Sequence, residues 1–109
     1  MIPRHLESVL KKAARRYPVV SLTGPRQSGK TTLVRQAFPG HEYVSLENPE
    51  RREFALRDAR GFLGQFEGKV ILDEVQRAPD LFSYIQGIVD ERGQAGQFVL
   101  TGSQNLDRK

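Results

Sequence analysis

The sequence predicts an α/β fold in which a parallel β-sheet is covered by helices on both faces. Short apolar runs alternate with segments whose apolar residues recur at helical spacing. Glycine or proline interrupts the chain between many of these segments. Strands that alternate with helices are typical of βα units, whose strands pair in parallel.

Local patterns justify the individual elements. Asn48 and Pro49 indicate a helix start, because Asn caps free backbone N–H groups and Pro suits the first helical position. Pro39 and Gly40 end the helix that precedes them. The patterns predict strands at 19–23, 42–46, 70–72 and 98–101, helices within 1–16 and at 31–38, 50–57 and 81–91, and a short helical turn at 61–66 with its aromatic residues inward.

Composition limits the chain to one domain of ordinary globular type. Its 109 residues allow a single modest core, and 38% hydrophobic with 28% charged residues excludes a disordered or fibrous chain. No apolar run is long enough to span a bilayer, and no signal peptide is recognisable. The absence of cysteine excludes a disulfide framework and a thiolate metal site. We therefore expect a cytoplasmic protein without a membrane partner.

The net charge of +4 arises in one segment. Residues 1–16 hold five basic side chains and one acidic one, whereas the rest of the chain holds 12 of each sign. Apolar residues recur on one helix face, opposite most of the basic ones: Leu6, Val9, Leu10, Ala13 and Ala14. We therefore divide the chain into a basic amphipathic helix at 1–17 and a core at 18–109. A solvated helix face explains the charge most simply, and contact with nucleic acid or an acidic partner is the alternative.

The loop after the first strand carries the pattern Gly-x-x-x-x-Gly-Lys-Thr, from Gly24 to Thr31. Glycines let the backbone fold so tightly that successive N–H groups converge on phosphate oxygens, and the helix N-terminus adds partial positive charge. Lys30 supplies a full charge for the β and γ phosphates of a nucleotide, and the Thr31 hydroxyl can ligate Mg²⁺. The predicted phosphate-binding residues are Gly24, Pro25, Arg26, Gln27, Ser28, Gly29, Lys30, Thr31 and Thr32.

A second motif supplies the carboxylates that such a site needs. The apolar run 70–72 leads into Asp73 and Glu74, at the edge where a parallel sheet presents side chains to its ligand. We expect Asp73 to hold Mg²⁺ through a water ligand, and Glu74 to orient and polarise the attacking water. Since many P-loop kinases lack a carboxylate at this position, Glu74 favours hydrolysis.

Polar residues after the other strands complete the predicted site. We expect Ser103 to sense the γ-phosphate, with Thr101 and Gln104 as alternatives, and an ordinary turn as the simpler explanation of the cluster. Catalytic contributions are thus predicted for Lys30, Glu74 and Ser103. Glu47 and Asn48 follow the second strand and could border the site, although helix capping is the simpler role for Asn48.

Several segments together resemble the N-terminal ATPase core of a prokaryotic family of AAA-type ATP-binding proteins, AAA family fourteen. They are IPR, PVVSLTGPRQSGKTTL, YVSLENP, RGFLGQF, VILDEVQRAPDLFSYIQ and FVLTGSQN. The resemblance implies a P-loop NTPase three-layer sandwich of the AAA+ type with about four strands in this chain. It also implies Mg²⁺-dependent ATP binding at 24–32 and hydrolysis assisted by Asp73 and Glu74.

The family's pattern extends further than this sequence. Members of the family usually continue through a fifth strand, a helical lid that contributes an arginine, and a C-terminal domain of unknown function. We therefore expect this chain to be truncated before the fifth strand and lid, with the C-terminal domain as its missing partner. Homo-oligomers are a further expectation, in which Arg77 could act at a subunit boundary.

Three functions remain open from the sequence. The first is a Mg²⁺-dependent ATPase core whose hydrolysis drives rearrangement of the C-terminal domain. The second is a switch or truncated remnant that holds nucleotide without turnover. The third, a P-loop kinase, is disfavoured by Glu74 and by the lack of a recognisable segment for binding an acceptor.

Overall fold

The computed structural model describes residues 5–25 and 28–103, which form one α/β layered unit. Its strands are Val19–Gly24 (β1), Glu42–Ser45 (β2), Val70–Asp73 (β3) and Phe98–Ser103 (β4). Its helices are His5–Arg16 (α1), Lys30–Ala37 (α2), Pro49–Arg57 (α3), Ala59–Gly64 (α4) and Leu81–Arg92 (α5), and a 3-10 turn spans Val75–Arg77. Among these described residues no helix has the length and apolar character needed to cross a membrane.

The four strands form one parallel sheet in the order β1-β4-β3-β2. The predicted α/β fold with a parallel sheet is therefore confirmed, and it is consistent with a P-loop NTPase-like core. Parallel strands end at a common edge, where Gly24 pairs with Ser103 and Ser45 pairs with Asp73. The loop after β1 and the acidic pair after β3 consequently meet at this carboxyl edge.

Helices cover both faces of the sheet because successive strand side chains point in opposite directions. Ile71 and Val99 face α1 and α2, where Leu10 and Val34 are buried with them. The next residues along each strand face the other way, into a core shared with α3, α4 and α5. Members of that second core include Phe62, Leu72, Val75, Leu81 and Leu100.

The first helix contacts the sheet through a narrower apolar strip than the sequence pattern predicts. Leu10 is buried, and Leu6, Ala13 and Ala14 pack beside it. Val9, which was predicted for the same face, is 51% exposed. Consecutive helical residues are about 100° apart, so the side chain next to Leu10 lies at the margin of the contact and points into solvent.

Capping residues fix where two short helices begin. The Asn48 side chain accepts from the backbone N–H groups of Glu50 and Arg51, at 2.9 and 3.1 Å, which confirms its predicted capping role. Asp58 accepts from Gly61 N–H at 3.0 Å and starts α4 two residues before the predicted turn. The aromatic residues of that region do face the core.

Candidate functional site

A cavity of about 400 Å³ opens at the carboxyl edge of the sheet. It is lined by the start of α2, by the loop after β2 and by the acidic pair at the end of β3. Those lining residues are Gly29, Lys30, Thr31, Thr32, Glu47, Asp73 and Glu74. The fold therefore brings together groups from three separate parts of the chain.

The backbone at the start of α2 is shaped by Gly29. This residue is the N-cap and has φ 94°, a left-handed conformation that side chains disfavour. Because the N-cap has no side chain, the first N–H groups of α2 receive no cap from it. Free N–H groups and the positive end of the helix dipole at the cavity wall suit an anion such as phosphate.

Lys30 is almost completely buried beside the loop, with 4% of its surface exposed. Its Nζ donates to the carbonyl oxygen of Pro25 at 3.0 Å. A buried ammonium group has three donors, and the loop carbonyl takes one of them. Lys30 thus presents a concentrated positive charge within a cavity that is otherwise rich in carboxylates.

Asp73 is held by hydroxyl groups from three different elements. Thr31 of α2 donates to its Oδ2 at 2.8 Å, Tyr43 of β2 donates to the same oxygen, and Thr101 of β4 donates to Oδ1. The carboxylate is buried, and hydrogen bonds offset much of the cost of removing it from water. Its orientation is therefore set by neutral donors on both of its oxygens.

Tyr43 remains a donor over the whole physiological pH range. Burial, followed by the hydrogen bond to Asp73 and the charge of that carboxylate, raises the pKa of Tyr43 to about 12. The guanidinium of Arg35 lies over the Tyr43 ring, 4.2 Å from its centroid. This contact packs the ring between α2 and the acidic pair.

The donor set fits a magnesium ion that is shared with a nucleotide. Thr31 Oγ1 and Asp73 Oδ2 are hard oxygen donors that lie 2.8 Å apart on the cavity wall. Mg²⁺ is commonly held by one or two protein oxygens together with phosphates and water. Within the described ranges, no cluster of three or more His, Cys, Asp or Glu side chains could hold a metal by itself.

Glu74 has a strained backbone and a tightly held side chain. It is the one non-glycine residue with positive φ among those described, at φ 57° and ψ 48°. Its N–H donates to Thr101 Oγ1 at 3.1 Å. Ser103 Oγ lies 2.9 Å from both of its carboxylate oxygens, and Gln76 Nε2 donates to Oε1 at 2.7 Å. Such strain is often found at functional sites.

The structure places the predicted residues in two groups. Lys30, Thr31, Asp73 and Glu74 line one cavity, whereas Ser103 contacts the Glu74 carboxylate and is absent from the lining. Contact between Ser103 and a γ-phosphate therefore stays a prediction. Gly24, Pro25 and Ser28 belong to the loop but are not among the lining residues, and Arg26, Gln27 and Gln104 lie outside the described residues.

Two residues in contact with the acidic pair, Tyr43 and Gln76, were not predicted from the sequence. Tyr43 reaches Asp73 because β2 lies beside β3, an adjacency that local patterns do not reveal. Gln76 follows Glu74 by two positions and reaches its carboxylate because the chain forms a 3-10 turn there, which local patterns did not predict. Arg77, in the same turn, pairs with Glu47 at 3.5 Å, and a role of Arg77 at a subunit boundary stays a prediction.

Comparison with known proteins gives one family and two curated relatives. A family model described as "AAA domain" matches residues 16–109. The relatives are uncharacterized proteins of Mycobacterium bovis and Mycobacterium tuberculosis, each 40% identical over 100 residues and covering 90% of this chain. The chain spans 22% of the length of either relative.

Proposed function

The chain belongs to the AAA domain family that its motifs indicate, AAA family fourteen, and from this premise we propose that its cavity binds ATP together with Mg²⁺ and supports ATP hydrolysis. Membership makes it a nucleotide-binding domain of the P-loop ATPase type. The observation that carries the proposal is the convergence of Lys30, Thr31 and Asp73 on one cavity. This combination supplies a cation for phosphate and hard oxygens for a metal.

Charge within the cavity explains why the nucleotide should bind with its metal. The lining holds one ammonium group, on Lys30, and three carboxylates, on Glu47, Asp73 and Glu74. When these are ionised, the sum is −2, or −1 with the Arg77 guanidinium that pairs with Glu47, and this negative charge repels a free polyphosphate. Bound Mg²⁺ would neutralise this charge and stabilise charge that develops on the phosphates. We therefore expect ATP affinity to depend strongly on Mg²⁺.

Glu74 is the residue proposed to act on water. Its carboxylate borders the cavity next to Asp73, where it would accept a hydrogen bond from a water that attacks a phosphate held by Lys30. Glu74 would accept a proton from that water as the water oxygen bonds to the γ-phosphorus, while the bond from this phosphorus to the bridging oxygen breaks and ADP leaves. Ser103 would keep the carboxylate turned towards the reaction through its hydroxyl.

Binding of ATP is tested with Lys30→Ala. Loss of the buried ammonium should weaken Mg·ATP binding by tenfold or more, since hydrogen bonds to charged groups contribute about 1.5–3 kcal/mol. Titration calorimetry with and without Mg²⁺ measures both the loss of affinity in the variant and the dependence of ATP binding on Mg²⁺. Lys12→Ala, on the exposed face of α1, is the matched control and should leave affinity unchanged. Equal affinity of wild type and Lys30→Ala would contradict the proposal.

A switch that binds nucleotide without turnover is the second candidate. It is favoured by the hydrogen bonds from Ser103 and Gln76, which occupy the Glu74 carboxylate. Glu74→Gln separates the two functions, because it should reduce phosphate release by at least a hundredfold in an ATPase and change nothing in a switch. Release of phosphate by wild type and retention of ATP binding by the variant would establish hydrolysis.

The use of ATP by the longer protein follows from the same proposal. The chain spans about a fifth of its curated relatives, so most of the mass of such a protein lies in other segments. We propose that hydrolysis in this domain changes the conformation of a C-terminal domain. A conformational change of this kind requires that the domain makes different contacts with ATP and with ADP. Glu47 and Glu74 border the cavity in which those contacts would change.

A further inference from the structure

The carboxylate of Glu74 is held from two sides by two different elements. Ser103 reaches it from the end of β4, and Gln76 reaches it from the 3-10 turn Val75–Arg77. A hydroxyl alone permits the carboxylate to rotate about the contact. A second donor at 2.7 Å on Oε1 removes that freedom.

The turn that carries Gln76 is itself firmly anchored. Val75 and Ala78 are buried in the core beneath α3, α4 and α5. The turn is closed by backbone hydrogen bonds from Arg77 N–H to Glu74 O and from Ala78 N–H to Val75 O, at 3.1 and 3.0 Å. Since Glu74 is also its N-cap, Gln76 has a fixed position relative to the carboxylate that it contacts.

The amide of Gln76 is oriented by this contact. Its nitrogen faces the Glu74 carboxylate, and its buried Oε1 has no hydrogen-bond partner within the described residues. Buried polar atoms without partners are uncommon in folded proteins. The reverse orientation would place the amide oxygen against the carboxylate, where the two would repel. The nitrogen contact thus determines how the side chain lies.

We propose that Gln76 is a positioning residue for ATP hydrolysis, which fixes the Glu74 carboxylate in the orientation that accepts a proton from the attacking water. This inference rests on the proposed ATPase function. Gln76 donates to Glu74 and is not among the residues that line the cavity, so we expect it to act through Glu74. Its loss should therefore lower kcat and leave nucleotide affinity unchanged.

Two substitutions test the role in the full-length protein. Gln76→Met keeps the length of the side chain and removes the donor, and Gln76→Glu keeps its shape and replaces the donor by a carboxylate. Both should reduce kcat by tenfold or more, while KM and the Kd for Mg·ATP change less than twofold. Gln86→Met is the matched control, because this exposed amide of α5 contacts only Asp90 in the described structure. Its kcat should equal that of wild type.

The outcomes separate this inference from the function on which it rests. Failure of wild type to hydrolyse ATP would overturn both. Hydrolysis that requires Glu74 but proceeds at the wild-type rate in Gln76→Met and Gln76→Glu would overturn the positioning role alone. A matching loss of affinity and kcat would also overturn it, since it would indicate a general disturbance of the site. Unchanged Kd with reduced kcat supports it.

Discussion

At the scale of single residues, buried hydroxyl groups organise the acidic pair. Thr101 is fully buried, donates to Asp73 and accepts from the N–H of Glu74. One side chain on β4 therefore sets both the orientation of the first acid and the backbone of the second. Tyr43 and Thr31 complete the arrangement around Asp73 from the other side. Tyr43 and Thr101 occupy strand positions in the sequence pattern, whereas Thr31 belongs to the Gly-x-x-x-x-Gly-Lys-Thr motif.

Thr101→Val tests this organisation, because valine has nearly the shape of threonine and lacks its hydroxyl. The substitution leaves a buried carboxylate oxygen and a buried N–H with one partner fewer, which should cost about 1–3 kcal/mol in the free energy of unfolding. Urea denaturation measures the change. Thr23→Val, at an exposed position of β1, is the matched control, and its free energy of unfolding should change by less than about 0.5 kcal/mol. Equal stability of Thr101→Val and wild type would contradict the assigned role.

At the scale of elements, a histidine joins two loops at the amino edge of the sheet. His41 lies between α2 and β2, and its Nε2–H donates at 2.7 Å to the carbonyl of Gly96, before β4. Phe38 at the end of α2 packs against the ring, with centroids 5.0 Å apart. Burial, assisted by the charge of Lys69, lowers the pKa of His41, although the hydrogen bond to Gly96 opposes the shift.

The lowered pKa predicts how stability depends on pH. As pH falls below 6.5, the ordinary value for histidine, the unfolded chain takes up a proton before the folded one does, so the folded state loses stability. Above that pH, His41 is neutral in both the folded and the unfolded state, so its contribution to the stability of the folded state is complete. We therefore expect wild type to gain more stability than His41→Gln between pH 5 and 7.5.

Urea denaturation at the two pH values measures this difference. Lys69→Gln provides a second comparison, since removing the neighbouring charge should reduce the dependence on pH without removing the ring. If the stability of wild type and of His41→Gln depends on pH in the same way, His41 makes no contribution to this dependence.

At the scale of the whole molecule, charge differs between the two edges of the sheet. The carboxyl edge holds the cavity with three carboxylates and one ammonium group. A second concave surface, at the amino edge, is lined by basic groups from α1 and from the loops that precede β2 and β3, including Lys11, Arg15, His41 and Lys69. Lys11 and Arg15, two of the basic residues of α1, therefore lie at the opposite edge of the sheet from the proposed nucleotide cavity.

The molecule is predictable where a local pattern carries the information. Four strands, the glycine loop and the Asn48 cap were placed from neighbouring residues, and each lies within a few positions of its predicted location. Val9 was placed wrongly, because a helical period defines a broad apolar face and the width of the actual contact depends on what packs against it. Gln76 was missed because its contact with Glu74 depends on the 3-10 turn Val75–Arg77, which no sequence pattern predicted.

The sequence by itself determined the α/β alternation, the position of the glycine loop before α2 and the acidic pair at the end of a buried strand, because each of these features depends on residues that are close together in the chain. Only the tertiary structure decided what surrounds the acids. Thr31, Tyr43 and Thr101 lie 42, 30 and 28 positions from Asp73. Their meeting depends on the strand order β1-β4-β3-β2, which is a property of the whole sheet and which no local period specifies.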